Sequence, residues 1–233
     1  MPHNTLVLFD IDGTLVDVHG AGRRSFARAF KHAWGIDDDL SHVRFAGATD
    51  RGVLAQLAAR HGLSEDHERH EADFFLAMAR ALEDELTREA ATACRDAAAV
   101  VEALAGRGGV ALGLVTGNAR ATAMIKLAAV DLAGAFLAHG DGQQAIGGFG
   151  DEHHDRRVLA RLATERGAPT GASAVRVVLV GDTANDIDAA LAIGAVAVGV
   201  CTGHTSADVL HSAGAHLVVD TLADPAFWAT VVS

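Results

Sequence analysis

Cysteine is almost missing from this chain: Cys94 and Cys201 are its two thiols, and they lie far apart in sequence. Two distant thiols make no disulfide framework, so a reduced, cytoplasmic compartment is the expectation. Long apolar runs are also missing. None reaches the ~18 residues that a membrane span needs, so no membrane partner is expected. The opening Met1-Pro2-His3-Asn4 lacks the basic flank and cleavage pattern of a signal peptide. Basic residues are scarce beside acidic ones, 19 against 30, which gives a net charge of −11. That balance argues against nucleic acid as a partner, because a nucleic-acid surface wants clustered Lys and Arg. It also means that an anionic ligand needs local cations or a metal. No internal repeat is present.

What the chain has is apolar material. Half of its 233 residues are hydrophobic. This is enough for one large α/β domain, or for a domain of about 150 residues with a small insert. The stretch that organises the rest is Thr5 to Asp17. Its first half is a short, nearly all-apolar run, which reads as a strand buried on both faces, as in parallel sheets. Asp10 and Asp12 sit at its C-terminal end, where open α/β sheets place their ligands. Two carboxylates two apart repel each other unless a cation or a shared proton intervenes.

Helical spacing follows over the next seventy residues. Phe26, Ala27, Phe30, Ala33 and Trp34 recur at that spacing after Gly20 and Gly22. Thr49 and Asp50 can cap a helix over 51–61 that Gly62 ends. A third helix runs from Ser64 to about residue 90, with Phe74, Phe75, Met78, Leu82 and Leu86 as its stripe. Residues 18–90 therefore read as an inserted helical cap domain, with 1–17 and 91–233 as the core domain.

From residue 96 helices and strands alternate. Strands are expected at 110–115, 175–180, 195–201 and 216–219, with a short one at 135–138. Helices are expected at 96–107, 119–129, 156–166 and 184–193, and a loop at 139–155. Such alternation predicts a parallel sheet covered on both faces.

Each strand should deliver its polar residues to one edge of that sheet. After the second comes Thr116-Gly117-Asn118, a hydroxyl, a glycine and an amide before a helix N-terminus. That arrangement suits a phosphate, although an ordinary strand-to-helix turn has the same composition. After the third comes Gly181-Asp182-Thr183-Ala184-Asn185-Asp186. Strand ends converging on carboxylates make an oxygen-only site of the type Mg²⁺ prefers.

Asp10-Ile11-Asp12-Gly13-Thr14-Leu15 resembles the first motif of the haloacid dehalogenase superfamily, and the Thr116 and Asp182 segments resemble its second and fourth. Gly47-Ala48-Thr49-Asp50 and the run from Ala195 to Gly203 also look alike. The resemblance covers nearly the whole chain and is nearest to phosphoglycolate phosphatase-like members. It implies a Rossmann-like parallel-sheet core with a helical cap, and Mg²⁺-dependent hydrolysis of a small phosphorylated metabolite, with 2-phosphoglycolate among the candidates. It implies Asp10 as nucleophile and Asp12 as general acid/base. Mg²⁺ would be held by Asp10, the main-chain carbonyl of Asp12 and Asp182. Gly13, Thr14, Thr116, Gly117 and Asn118 would receive the phosphate, and Asp186 would stand behind the metal or the cation. The third motif departs from the common Lys-Pro form. Its candidates are Arg156 and Arg157, and Arg156, seven residues before Ala163, fits Arg-bearing members better. Lys126 or a cap arginine would be the remaining source of charge.

Weaker features have two readings each. His153-His154, among Asp151, Glu152 and Asp155, are metal ligands or a solvated loop. Arg23, Arg24 and Arg51 meet a substrate carboxylate from the cap or lie on the surface. A phosphosugar mutase shares all four motifs, and a phosphate-binding regulatory module could retain the fold. A dehalogenase of the family lacks the second aspartate, and Asp12 argues against one. Either a monomer or a homodimer is compatible with these features.

Overall fold

The structure, a computed structural model, describes residues 4–63, 67–168 and 175–232. In chain order its elements are β1 (Thr5–Phe9), β2 (Val16–Asp17), α1 (Ala21–Trp34), α2 (Asp50–Arg60), α3 (His67–Arg88), β3 (Thr92–Ala93) and α4 (Ala97–Ala105). Then come β4 (Val110–Val115), α5 (Arg120–Ala128), α6 (Ala133–His139), β5 (Gly147–Gly148), α7 (Arg156–Gly167) and β6 (Arg176–Gly181). The last are α8 (Ala184–Ala192), β7 (Val196–Val200), α9 (Ala207–Ser212), β8 (Leu217–Val219) and α10 (Pro225–Val232). Ser64, the expected start of the third helix, and Met1 to His3 lie outside the described residues. Among the described residues no helix is long and apolar enough to cross a membrane.

Six strands form one parallel sheet in the order β5-β4-β1-β6-β7-β8. The chain winds outward from β1 to β4 and β5, then returns to β6 on the other side of β1. A ligand crevice belongs at such a switch. The period-two geometry of a strand explains why β1 is apolar throughout. Val7 and Phe9 face one layer, with Val101, Leu104, Leu127 and Phe136. Leu6 and Leu8 face the other, with Leu159, Ala163 and Ile187. Covered on both faces, the strand has no solvent side on which to place a polar residue.

The segment expected as a strand at 135–138 is instead helix α6. A four-residue apolar run has no period of its own, and packing decides it. Phe136 of α6 meets Phe9 edge-on with centroids 6.2 Å apart, an arrangement that fills the layer beside β1. The loop expected at 139–155 contains the edge strand β5, whose two glycines carry no β signal. Helices α9 and α10 and the antiparallel ribbon of β2 with β3 are further elements that the sequence pattern does not announce.

Helices α1, α2 and α3 have an apolar core of their own, built on Phe26, Phe30, Leu54, Leu57, Phe74 and Met78. A charge cluster ties α1 to α3. Buried Glu85 accepts from Arg24 Nε at 2.6 Å and from Arg28 and Arg88 at 3.0 Å each. The Arg24 bond, opposed by burial, holds the Glu85 carboxyl below its ordinary value of 4.5. Its stabilisation is therefore present above that value and lost as the pH falls. Arg24 and Arg28 are 43% and 40% exposed, so solvent screens the pairs. Glu85→Gln should cost about 1–2 kcal/mol in urea unfolding at neutral pH. The gap from wild type should narrow by about pH 4. A gap that widens on acidification would contradict the charge assignment.

Candidate active site

The sheet register gathers the site. Phe9 pairs with Leu114 on one side and Val180 on the other. Asp10, Thr116 and Asp182 therefore leave three neighbouring strands at one edge. The Asp10 N–H still donates to the Val180 carbonyl at 2.9 Å, so its backbone is fixed by the sheet. Gly13 then turns the chain with φ +77°, and a Cβ there would lie 2.6 Å from Asp182 Oδ2. Only glycine lets the first turn approach the Asp182 carboxylate so closely.

Three carboxylates stand together. Asp10, Asp182 and Asp186 each offer an oxygen, and these atoms lie within 4.8 Å of one another. All three are buried. Burial raises Asp10 to about 7, against the lowering pull of Arg156 and with the push of Asp186 and Asp12. Burial, then the Asp10 and Asp186 charges, raises Asp182 to about 8. Arg156, at the first position of α7, offsets the charge. Its guanidinium donates to Asp10 and to the Val115 carbonyl, and stands 2.9 Å from Asp186 Oδ1. Burial works against the Arg156 charge, but Asp10 and Asp186 outweigh it and hold the group above its ordinary value. Its Nε is buried without a partner. Arg157 points the other way. It is half-exposed and pairs with Asp155, the N-cap of α7, at 2.8 Å. Asp186 is fixed from behind, since its Oδ2 accepts from Thr183 N and Oγ1 at 3.0 and 2.6 Å in a capping box.

The Asp12 side chain leaves this cluster. Its carboxylate accepts from Lys126 Nζ at 2.7 Å on both oxygens and from Asn118 Nδ2 at 2.7 Å. Asn118 also donates to Thr116 Oγ1 at 2.8 Å. Thr116 and Thr14 are fully buried, and Thr14 Oγ1 has no partner. In this geometry Thr116 supports Asn118, and Gly117 and Asn118 face the cavity. Lys126, only a reserve source of charge by sequence, is a full member of the site. A signal for it exists in the sequence: it lies on the buried face of α5 between Ala123 and Leu127, where an apolar residue is expected.

The site opens on a cavity of about 380 Å³, whose opposite wall comes from α1, α2, α3 and the 45–48 loop. The start of α2 is latched to the sheet edge. Asp50 N donates to the Gly117 carbonyl at 2.7 Å, and Ala119 N donates to Asp50 Oδ2 at 2.7 Å. Burial pushes Asp50 up to about 7. Arg51 N donates to the Gly150 carbonyl at 2.9 Å. A Cβ on Gly117 would lie 1.9 Å from the Ala48 carbonyl oxygen, so no other residue permits this approach.

Of the three cap arginines, Arg23 lines the cavity, where it donates to the Leu40 and Val43 carbonyls and lies over the Phe45 ring. Arg24 pairs with Glu85, and Arg51 with Glu71. His153 and His154 stack on each other at 4.4 Å, and neither joins a metal-capable cluster among the described residues. Both cysteines are half-buried, and burial pushes the Cys94 thiol up to about 12.

The donor set fits a hard divalent cation. It is made of oxygens only, and Asp182 Oδ1 is buried with no partner. Burial above all raises Asp10 and Asp182, and a cation would offset its cost to their ionised forms.

A family model described as haloacid dehalogenase-like hydrolase matches residues 5–194. No curated protein matches the sequence. Among solved structures the chain is similar to a hydrolase from Pseudomonas syringae, at 23% identity over 94% of each chain with a TM-score of 0.65. It is also similar to a predicted phosphatase from Clostridium acetobutylicum, at 20% identity over 95% of each chain with a TM-score of 0.63. A third is CbbY from Rhodobacter sphaeroides in complex with phosphate, at 20% identity over 95% of this chain and 96% of that one, TM-score 0.63. At such identities the likeness shows the fold.

The carboxylate cluster makes a direct prediction. Mg²⁺ at about 100 times its Kd should stabilise the wild type by about 2.7 kcal/mol. Asp182→Asn should lose most of that gain, measured as the midpoint of thermal unfolding with and without the ion. An undiminished gain in the variant would place the cation elsewhere.

Proposed function

The chain belongs to the haloacid dehalogenase-like hydrolases, and from that premise we propose that it hydrolyses a small phosphate monoester, with Asp10 as the nucleophile. The observation that carries this reading is the Arg156 guanidinium. It grips Asp10 and Asp186 and lines the cavity. A fixed cation on the cavity wall beside a buried carboxylate suits a phosphate oxygen.

Asp10 and Asp182, with the main-chain carbonyl of Asp12 that the resemblance adds, would hold Mg²⁺, which neutralises charge on the phosphate when bound. An Asp10 carboxylate oxygen attacks phosphorus, and the bond from phosphorus to the leaving oxygen breaks. Asp12, which must be protonated at this stage, gives its proton to that oxygen. Water then attacks the phosphoryl group and yields a proton to Asp12, and the bond to Asp10 breaks to release inorganic phosphate. Arg156 and the turn at Gly117 and Asn118, with Thr116 supporting Asn118 from behind, take the equatorial oxygens, whose charge spreads in the transition state. The latched wall of α1 to α3 acts as a cap that keeps bulk water out during this exchange. A cavity of about 380 Å³ suits a small metabolite, and 2-phosphoglycolate is the first to assay.

Asp10→Asn should keep the fold and lose turnover by about three or more orders of magnitude on an aryl phosphate. Arg156→Ala should reduce turnover at least ~100-fold, as for other lost charge stabilisers. Arg157→Ala should stay close to wild type, because its partner is Asp155. Steady-state phosphate release measures all three. Wild-type rates in Asp10→Asn would move the nucleophile, and the reverse order of the two arginines would exchange their roles.

A further inference from the structure

Lys126 is one of the chain's two lysines, with Lys31. It is 4% exposed, on the apolar side of α5. An ammonium leaves water only where its three protons find acceptors. Here they do. Nζ lies 2.7 Å from each Asp12 oxygen and 2.6 Å from Asn118 Oδ1. Asn118 closes the figure, since its Nδ2 donates to Asp12 Oδ2 at 2.7 Å. A methyl group on Gly22 would stand 3.5 Å from Nζ, so the first turn of α1 covers the amine.

We propose that Lys126 is a positioning residue for Asp12: with Asn118, it fixes where the Asp12 carboxylate stands during phosphoryl transfer. The inference rests on the proposed phosphatase reading and extends it to a residue outside the four motifs. Two observations separate this role from direct binding of the phosphate. Arg156 lines the cavity wall beside Asp10, where a phosphate oxygen would meet its charge. Lys126 has none to spare, because its three protons are matched by Asp12 and Asn118. The other consideration is exposure. The Asp12 side chain is 45% exposed, open to the cavity and free of the sheet that fixes Asp10. A solvated aspartate just beyond a strand end changes rotamer readily. A bond to each oxygen removes that freedom and costs the lysine nothing further on substrate binding. A misplaced general acid loses most of its effect.

The test is a double-mutant cycle of Lys126→Met and Asp12→Asn, with a crystal structure of Lys126→Met as a readout independent of activity. Lys126→Met should lower kcat on an alkyl phosphate by about 30-fold or more with KM changed by less than about 3-fold. Loss on p-nitrophenyl phosphate, whose leaving group needs little proton donation, should stay within about 5-fold. In the Asp12→Asn background the lysine change should cost less than about 2-fold. The crystal structure should show Asp12 moved away from Asn118. Additive losses, a raised KM with kcat intact, equal losses on both substrates or an unmoved Asp12 would each overturn the proposal. If Lys126→Met fails to fold, Lys126→Gln carries the same cycle and the same crystallographic question. Wild-type phosphate release that depends on Asp10 is the control: its absence defeats the phosphatase reading, while the Asp12 position still decides the role of Lys126.

Discussion

Everything in the site depends on how the Arg156 guanidinium sits between Asp10 and Asp186. Carboxylates packed at the ends of buried strands repel one another and lose their hydration, and both effects work against ionisation. A single fixed cation between two of them lets the cluster exist inside the fold. Burial above all, with the neighbouring carboxylates, holds Asp10 and Asp182 well above the usual carboxylate range. In the proposed function a divalent cation would offset that cost at this edge of the sheet, where the phosphate would also bind.

The structure separates two tasks by direction. Asp10, Asp182 and Asp186 gather around Arg156 at the ends of β1 and β6 and the start of α8. Asp12 turns toward α5 and its own cation. Asp10 and Asp12 therefore have different charged neighbours, Arg156 and Lys126. The Asp50 latch to Gly117 and Ala119 then draws α2 onto the same edge, so the wall over the cavity and the turn after β4 share hydrogen bonds.

Much of this is legible in the amino-acid sequence. The apolar runs at 5–9, 110–115 and 175–180 have one reading once helices alternate with them, because a strand covered on both faces has no polar side. Acids just after two of those runs fall at one edge by the same logic. Other features have no local signal. Residues 135–138 are helical through the contact of Phe136 with Phe9. Gly147 and Gly148 form an edge strand through the register that β4 offers them. The adjacent Arg156 and Arg157 differ by the turn of a helix, and Asp155 draws Arg157 outward. The partnership of Lys126 with Asp12 spans more than a hundred residues and depends on how α5 lies across the sheet.

The central claim is that a phosphoryl group passes through Asp10, and chemical trapping tests it most directly. The wild type would be quenched with acid during turnover of a phosphate monoester, reduced with borohydride and mapped by peptide mass spectrometry. An acyl phosphate is reduced under these conditions and a free carboxylate is not. The account predicts reduction to homoserine at position 10, and none in protein quenched without substrate. Reduction at another aspartate, or active turnover with no carboxylate reduced, would contradict it.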